Sequence, residues 1–362
     1  MEGTEQKFIT DAFNTNWIAP FGSNIDGFEN DIKQYLGGDN FVTALNSGTA
    51  AIHLALQLLK ISKGDEVICQ SFTFSATINP VVYQGATPVF VDSERDSWNI
   101  SPELLEKAIK DRIQKHKKPK AIIVVHNYGM PCNINAINAI SKKYKIPVIE
   151  DAAAALGSSY FNKACSTLFD IGVLSFNGNK IITTSGGGAL IVKNEKFKKQ
   201  AIFFATQAKD NAVHYEHTTV GYNYRISNVL AGIGRGQMEV LEKRIASRRE
   251  NFNFYKEKLS PYFNFQEEPQ GAYSNRWITC IETESYHLRE QIRIALLNDD
   301  IESRPLWKPM HLQPVFKTCL SFKNNVSETL FQKGLCLPSG SNLNENDLNR
   351  IIGIILKCLK TA

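Results

Sequence analysis

Lys180 follows an apolar run at 171–176 and the turn-forming tripeptide Asn177-Gly178-Asn179. A strand that ends in a turn is the expected local structure. An amine just past the end of a buried strand stands on a rigid base and is partly stripped of water. That favours its neutral, nucleophilic form, able to add to an aldehyde as a Schiff base. A lone lysine in such a loop is far more often a plain surface residue; three other groups change the balance. Asn46-Ser47-Gly48-Thr49-Ala50 precedes a helically spaced set, Ile52, Ala55, Leu56 and Leu59. Small residues at a helix start leave backbone N–H groups open to an anion, so Gly48 and Thr49 could seat a phosphate; Ser47 as an ordinary N-cap is the alternative. Ser71-Phe72-Thr73-Phe74 carries an aromatic ring past a strand at 66–69, either to stack on a flat ligand or to fill the core. Glu150-Asp151 closes an apolar strand at 146–149, and the small residues at 152–155 would let something flat approach. A carboxylate there is costly unless it meets a cation, although Asp151 could equally cap a helix.

The elements that must position these groups alternate regularly. The helix through Ile52 leads to the strand at 66–69; Thr87–Val91 is a further strand, followed by the helix start Ser101-Pro102-Glu103. Ala121–Val125, a helix over Ile134–Tyr144 and the strand at 146–149 complete a βαβ alternation. It predicts an α/β fold with a largely parallel sheet, helices on both faces and ligands beyond the carboxyl ends of the strands. From about Asn228 the pattern changes to one long helix carrying Leu230, Met238, Leu241 and Ile245, and after Pro261 strand and helix mix. A large domain over 1–237 and a smaller C-terminal α+β domain over 238–362 are expected. Composition argues against other classes. With 41 basic and 36 acidic residues among 362, a net charge of +5 gives no nucleic-acid footprint, and the basic run at 115–120 reads as a solvated loop. The seven cysteines lack metal-ligand or CxxC spacing, so no metal site is expected and they read as reduced thiols. No apolar run approaches the roughly 18 residues of a membrane span, and the polar start carries no signal peptide, so a cytoplasmic protein is expected.

A phosphate seat, a stacking ring, a carboxylate for a protonated pyridine nitrogen and an amine for an aldehyde match one cofactor, pyridoxal 5'-phosphate. The sequence closely resembles the DegT/DnrJ/EryC1/StrS family of nucleotide-sugar aminotransferases, from Asn16-Trp17-Ile18-Ala19-Pro20 to Leu337-Pro338-Ser339-Gly340. The run from Asn177-Gly178-Asn179-Lys180 to Ser185-Gly186-Gly187-Gly188, and Arg304-Pro305-Leu306-Trp307 with Met310-His311, look most like the bacillosamine branch. That branch aminates a UDP-linked 4-keto-6-deoxy-N-acetyl sugar. The resemblance implies the aspartate aminotransferase fold and a homodimer with shared sites. It also implies that Lys180 holds the cofactor aldehyde and shuttles a proton, that Asp151 pairs with the ring nitrogen and that Phe74 stacks on the ring. Gly48, Thr49 and Ser175 would hold the phosphate, and Asn223, in Gly221-Tyr222-Asn223-Tyr224-Arg225, would reach the phosphate of the neighbouring subunit. Asn179, Trp307 and His311 would border the sugar nucleotide, with glutamate as amino donor. Dehydratases of the same fold carry histidine in place of the lysine. Two alternatives stay open: C3 or C4 amination of a dTDP- or GDP-linked sugar, and a regulatory relative without turnover. Ala154 stands where the family usually has Glu or Gln.

Overall fold

A computed structural model describes Met1 and residues 4–360. The apolar runs form an eight-stranded sheet, and its order across the molecule is Phe41–Leu45, Gly188–Val192, Ile171–Ser175, Val148–Asp151, Ala121–Val125, Glu66–Gln70, Thr87–Val91 and Ser321–Phe322. Gly188–Val192 runs antiparallel to both neighbours, whereas the other pairings are parallel. The carboxyl ends of the parallel strands therefore share one edge, where an α/β sheet opens to ligands. The central strands are buried throughout because helices cover both faces. One side packs Leu54, Leu58, Ile123, Ile149 and Leu190 into a core, and the other packs Ile68, Val89, Ile109, Val124 and Ile137.

The strand expected at 146–149 lies at Val148–Asp151. Asp151 stays in the ladder because it is flanked by Val125 and Val173. The single long helix expected from residue 228 is two helices, Asn228–Met238 and Leu241–Leu259. The first lies against helices Glu5–Asn14 and Ser23–Tyr35. Its glycines allow the approach: a Cβ at Gly236 would come within 2.6 Å of the Glu5 backbone, and one at Gly234 within 2.6 Å of the Phe28 ring. The second helix serves two cores. Leu241 and Ile245 pack with Ile181 and Ile226 beside the large sheet, while Phe252, Tyr255 and Leu259 pack with Ile281, Ile292 and Ile355.

That latter core backs a smaller antiparallel sheet in the order Asn264–Phe265, Cys280–Glu282, Gly334–Cys336, Arg304–Pro305. Between its last two strands in sequence the chain returns to the large sheet. Met310 and Phe316 enter the large core, and Ser321–Phe322 pairs with Thr87–Val91. A division after residue 237 is therefore retained as a proposal for where the smaller unit begins, with 310–322 reaching back across it.

Candidate active site

The strand Phe41–Leu45 ends at Asn46, and the helix Gly48–Leu58 starts at once. Ser47 is its N-cap, the hydroxyl accepting from the Ala50 N–H at 3.1 Å. Gly48 is closely approached: a Cβ there would lie 3.0 Å from the Cβ of Ser175. Gly188, level with both Leu45 and Ser175 in the ladder, is tighter still, since a Cβ would stand 2.4 Å from the Gly48 nitrogen. Three backbones thus converge on one helix start, and the Gly48, Thr49 and Ser175 expected to hold phosphate are brought together there. Asn223 borders the same rim. Its carbonyl accepts from the Asn46 side-chain amide at 3.1 Å, and the Asn46 N–H donates to Tyr224 at 2.8 Å. Tyr222 and Tyr224 stack 4.9 Å apart and close on His53 of the phosphate-seat helix, whose Nδ1 lies 3.0 Å from the Tyr224 hydroxyl. Asn223 between them is exposed.

Asp151 is buried at its strand end. One carboxylate oxygen accepts from the Thr77 hydroxyl at 2.7 Å and the other from the Ala153 N–H at 3.1 Å. Thr77 is in turn 2.8 Å from the Thr73 hydroxyl. Side chains alternate along a strand, and Glu150 before it serves the fold. It accepts from the backbone N–H groups of Ser166, Leu168 and Phe169 and from His126 Nε2. His126 Nδ1 accepts from the Cys132 N–H at 3.2 Å, so the ring is the Nε2–H tautomer. His126, Glu150 and Cys165 stand close enough to be considered metal ligands, yet the first two already spend their ligand atoms on the chain.

Lys180 ends the turn 177–180, its N–H donating to the Asn177 carbonyl at 3.0 Å. Its Nζ lies 4.2 Å from the ring centre of Trp277, and the Trp277 indole N–H donates to the Asn179 carbonyl at 2.7 Å. Burial lowers the Lys180 amine to about 8, against an opposing pull from Asp151. The neutral, nucleophilic form is therefore within reach near neutrality.

Phe74 is 57% exposed and lies 6.2 Å from Trp307. Trp307 stacks on Tyr128 at 4.4 Å and donates its backbone N–H to the Tyr128 hydroxyl at 3.0 Å. His311 is the outlier among the expected residues. It is buried, Nδ1 lies 2.6 Å from Ser71 Oγ and Nε2 lies 3.0 Å from a Glu328 oxygen. Because Glu328 can only accept, Nε2 carries the hydrogen and Nδ1 accepts from Ser71. With both nitrogens engaged, His311 supports the segment after Trp307 and offers a ligand no free ring nitrogen. Ala154 is buried with Phe72, Tyr128 and Trp277.

Thr77, Trp277, Tyr128 and Gly188 border the candidate site, and spacing does not disclose them, since each makes its contact far from its own motif. Gly188 alone had a signal, in the Ser185-Gly186-Gly187-Gly188 run.

A buried carboxylate, a half-desolvated lysine, an exposed ring and a glycine-built helix start at the open edge of a parallel sheet define a site of the pyridoxal-phosphate class. The donor set fits the cofactor: the cradle has no Cβ in the way, and Asp151 keeps lone-pair capacity beyond its two hydrogen bonds. Residues 1–356 match the DegT/DnrJ/EryC1/StrS aminotransferase family, and the chain belongs to it. It is a pyridoxal phosphate-dependent aminotransferase. It is 45% identical to the putative pyridoxal phosphate-dependent aminotransferase EpsN of Bacillus subtilis strain 168, over 100% of this chain and 95% of that protein. It is 35% identical to GDP-perosamine synthase of Escherichia coli O157:H7, over 96% of this chain and 93% of that one. The crystal structure of a DegT DnrJ EryC1 StrS aminotransferase from Brucella abortus superimposes with a TM-score of 0.93 at 30% identity, covering 98% of this chain and 95% of its own. Among the described residues no helix is long and apolar enough to cross a membrane.

Proposed function

We propose that the enzyme moves an amino group from glutamate to C4 of a nucleotide-linked 4-keto-6-deoxy sugar, first UDP-2-acetamido-2,6-dideoxy-4-ketohexose, in cytoplasmic synthesis of bacterial surface polysaccharide or glycan. The observation that carries the reading is the Lys180 amine, lowered to about 8 by burial, lying against the ring face of Trp277 and within electrostatic reach of Asp151. Bound there, pyridoxal phosphate supplies an aldehyde that accepts amines and a protonated ring that stores an electron pair. Asp151, aimed by Thr77 and the Ala153 N–H, holds the proton on the ring nitrogen. Gly48, Thr49 and Ser175 bind the phosphate with the field of the helix start, and Phe74 covers one ring face. Burial favours the neutral form of the Lys180 amine. In that form Lys180 takes a proton from Cα of the donor and later delivers one to C4 of the sugar. Trp307 and Asn179 border the sugar nucleotide, and His311, bonded to Ser71 and Glu328, keeps Trp307 in place.

A GDP-linked sugar is the second reading, favoured by the relative named GDP-perosamine synthase. The enzyme is further read as a homodimer in which Asn223 completes the phosphate site of the partner. Its exposure beside the cradle supports this, as do the exposed apolar Val213, Tyr215 and Val220 just before it.

Incubation with glutamate and a panel of UDP-, GDP- and dTDP-linked 4-keto-6-deoxy sugars, with products read by mass and NMR, tests the proposal. A new amine at C4 of the UDP sugar is expected. Amination of the GDP sugar alone replaces the first reading with the second, and amination at C3 overturns both.

A further inference from the structure

Trp277 reaches the site from the segment between the small-sheet strands Asn264–Phe265 and Cys280–Glu282, and every polar atom it has is spent. Its backbone N–H donates to Asn275 Oδ1 at 2.9 Å, and its carbonyl accepts from Arg248. Its indole N–H is bonded to the Asn179 carbonyl, immediately before the reactive lysine. Asn275 also donates to the carbonyls of Ala154 and Leu156 at 3.0 and 2.8 Å, in the turn that follows Asp151. A continuous set of hydrogen bonds thus runs from the Asp151 turn through Asn275 and Trp277 to the turn of Lys180. The ring itself is 3% exposed and lies parallel to Tyr128, at 6.5 Å and 20°. Rotation of the indole is therefore blocked, and its face is presented to Nζ at 4.2 Å.

We propose that Trp277 is a positioning residue for the amine transfer: its indole N–H fixes the turn that carries Lys180, and its ring face holds the ammonium form of that lysine by a cation–π contact. An ammonium near an aromatic face is stabilised by the ring quadrupole, most strongly by indole. Water is scarce here, so the ring supplies part of what hydration would. The ring holds the protonated amine, and the Asn179 contact holds the turn that carries it in either protonation state. The one charge that acts on the amine among the described residues is Asp151, which favours the same protonated form. Arg248, on the helix Leu241–Leu259, is bonded to the Trp277 carbonyl.

The inference rests on Lys180 being the reactive amine, and the test reads that lysine directly. The full-length chain, freed of cofactor, is acylated with acetic anhydride in competition with a free amine over a range of pH. Modification of the Lys180 peptide is followed by mass spectrometry. The wild-type midpoint is expected near about 8. Trp277→Leu keeps an apolar cover and removes the quadrupole, so its midpoint should fall by about half to one pH unit. Trp277→Phe keeps a ring and loses the N–H, so its midpoint should stay close to wild type while kcat falls about 3- to 10-fold with KM for the sugar unchanged. A midpoint unchanged in Trp277→Leu, or raised toward the ordinary lysine value, overturns the proposal by making the indole a cover against water only. Equal shifts in the two variants overturn it as well. Borohydride reduction of the loaded enzyme that fixes the cofactor on a peptide other than that of Lys180 instead removes the reading of Lys180, which separates the two failures.

Discussion

The Lys180 amine titrates near about 8 when folded, against roughly 10.4 in an unfolded chain. Between those values the unfolded state binds more protons, so this group adds stability as pH rises through the window and costs stability below it. Lys180→Ala should abolish turnover and leave the fold intact. The melting temperatures of wild type and variant without cofactor should also converge in favour of the wild type as pH goes from 8 to 10.5; a difference independent of pH would contradict the burial of the amine. Thr77→Val removes the hydroxyl that aims Asp151. A hydrogen bond to a charged group is worth about 1.5–3 kcal/mol, so kcat should fall roughly 10- to 100-fold while the half-reaction with glutamate still runs. Lys180, Asp151, Gly48 and Phe74 were legible because each sits just past an apolar run, where a strand end is readable from one stretch of chain. Thr77 and Trp277 were not. Their partners, Asp151 and Asn179, lie 74 and 98 residues away, and local spacing carries no trace of such contacts.

Helix Asn228–Met238 carries three glycines at positions where alanine would propagate a helix better by about 1 kcal/mol each. Packing decides otherwise. In Gly236→Ala the new methyl meets the Glu5 backbone at 2.6 Å and cannot push it aside as it would a side-chain tip. Overpacking of that kind typically costs about 1–3 kcal/mol. The variant should be less stable by denaturant titration despite its better propensity, and a gain in stability would show that helix Glu5–Asn14 yields. Packing also explains why the sequence predicted one helix where there are two. Hydrophobic spacing runs on from Leu230 through Ile245, and Ala231 and Leu241 join the same core with Ile25 and Phe28 on either side of the break at Glu239-Val240, so the apolar pattern carries no mark of it. The strand Ser321–Phe322 was likewise invisible, since two residues show no alternation. The βαβ half was readable because its strands are continuous apolar runs, and those follow from burial on both faces.

At the scale of the whole molecule, the exposed Asn223 beside a phosphate seat makes sense if a second chain covers that edge. Mixing a Lys180→Ala chain with an Asn223→Phe chain would then form heterodimers in which one site carries both lesions and the other neither. Activity should reappear on mixing two nearly inactive variants, with subunit exchange verified by mass. Absence of recovery would assign Asn223 to its own subunit. Ala154 bears on the same scale because its surroundings join the two units. Phe72 and Tyr128 come from the large sheet side and Trp277 and Cys280 from the small one. Ala154→Glu would place a carboxylate in that apolar contact, so a loss of stability of about 1–3 kcal/mol is expected by thermal melting, ahead of any spectral change.

The single reversed strand, Gly188–Val192, has a consequence for how the reactive lysine behaves between turnovers. Because it runs against its neighbour, the chain leaves the sheet after Ser175 and rejoins it at Gly188 on the same edge, with Phe176 donating to the Gly187 carbonyl and Thr184 to the Phe176 carbonyl. Lys180 is thus carried on a short loop stapled at both feet. A lysine held in this way would stay beside the reacting carbon whether or not it is bonded, at an effective concentration orders of magnitude above that of any lysine in solution. Lengthening the loop by one glycine after Gly178, inside the Phe176–Thr184 hydrogen bond, would scarcely alter closure entropy, which changes by only about 0.6 kcal/mol per doubling of length. It would shift the amine by about an ångström, a displacement that can slow a positioned reaction roughly 100-fold. Both the proton transfers and the return of the lysine to its place would then slow together.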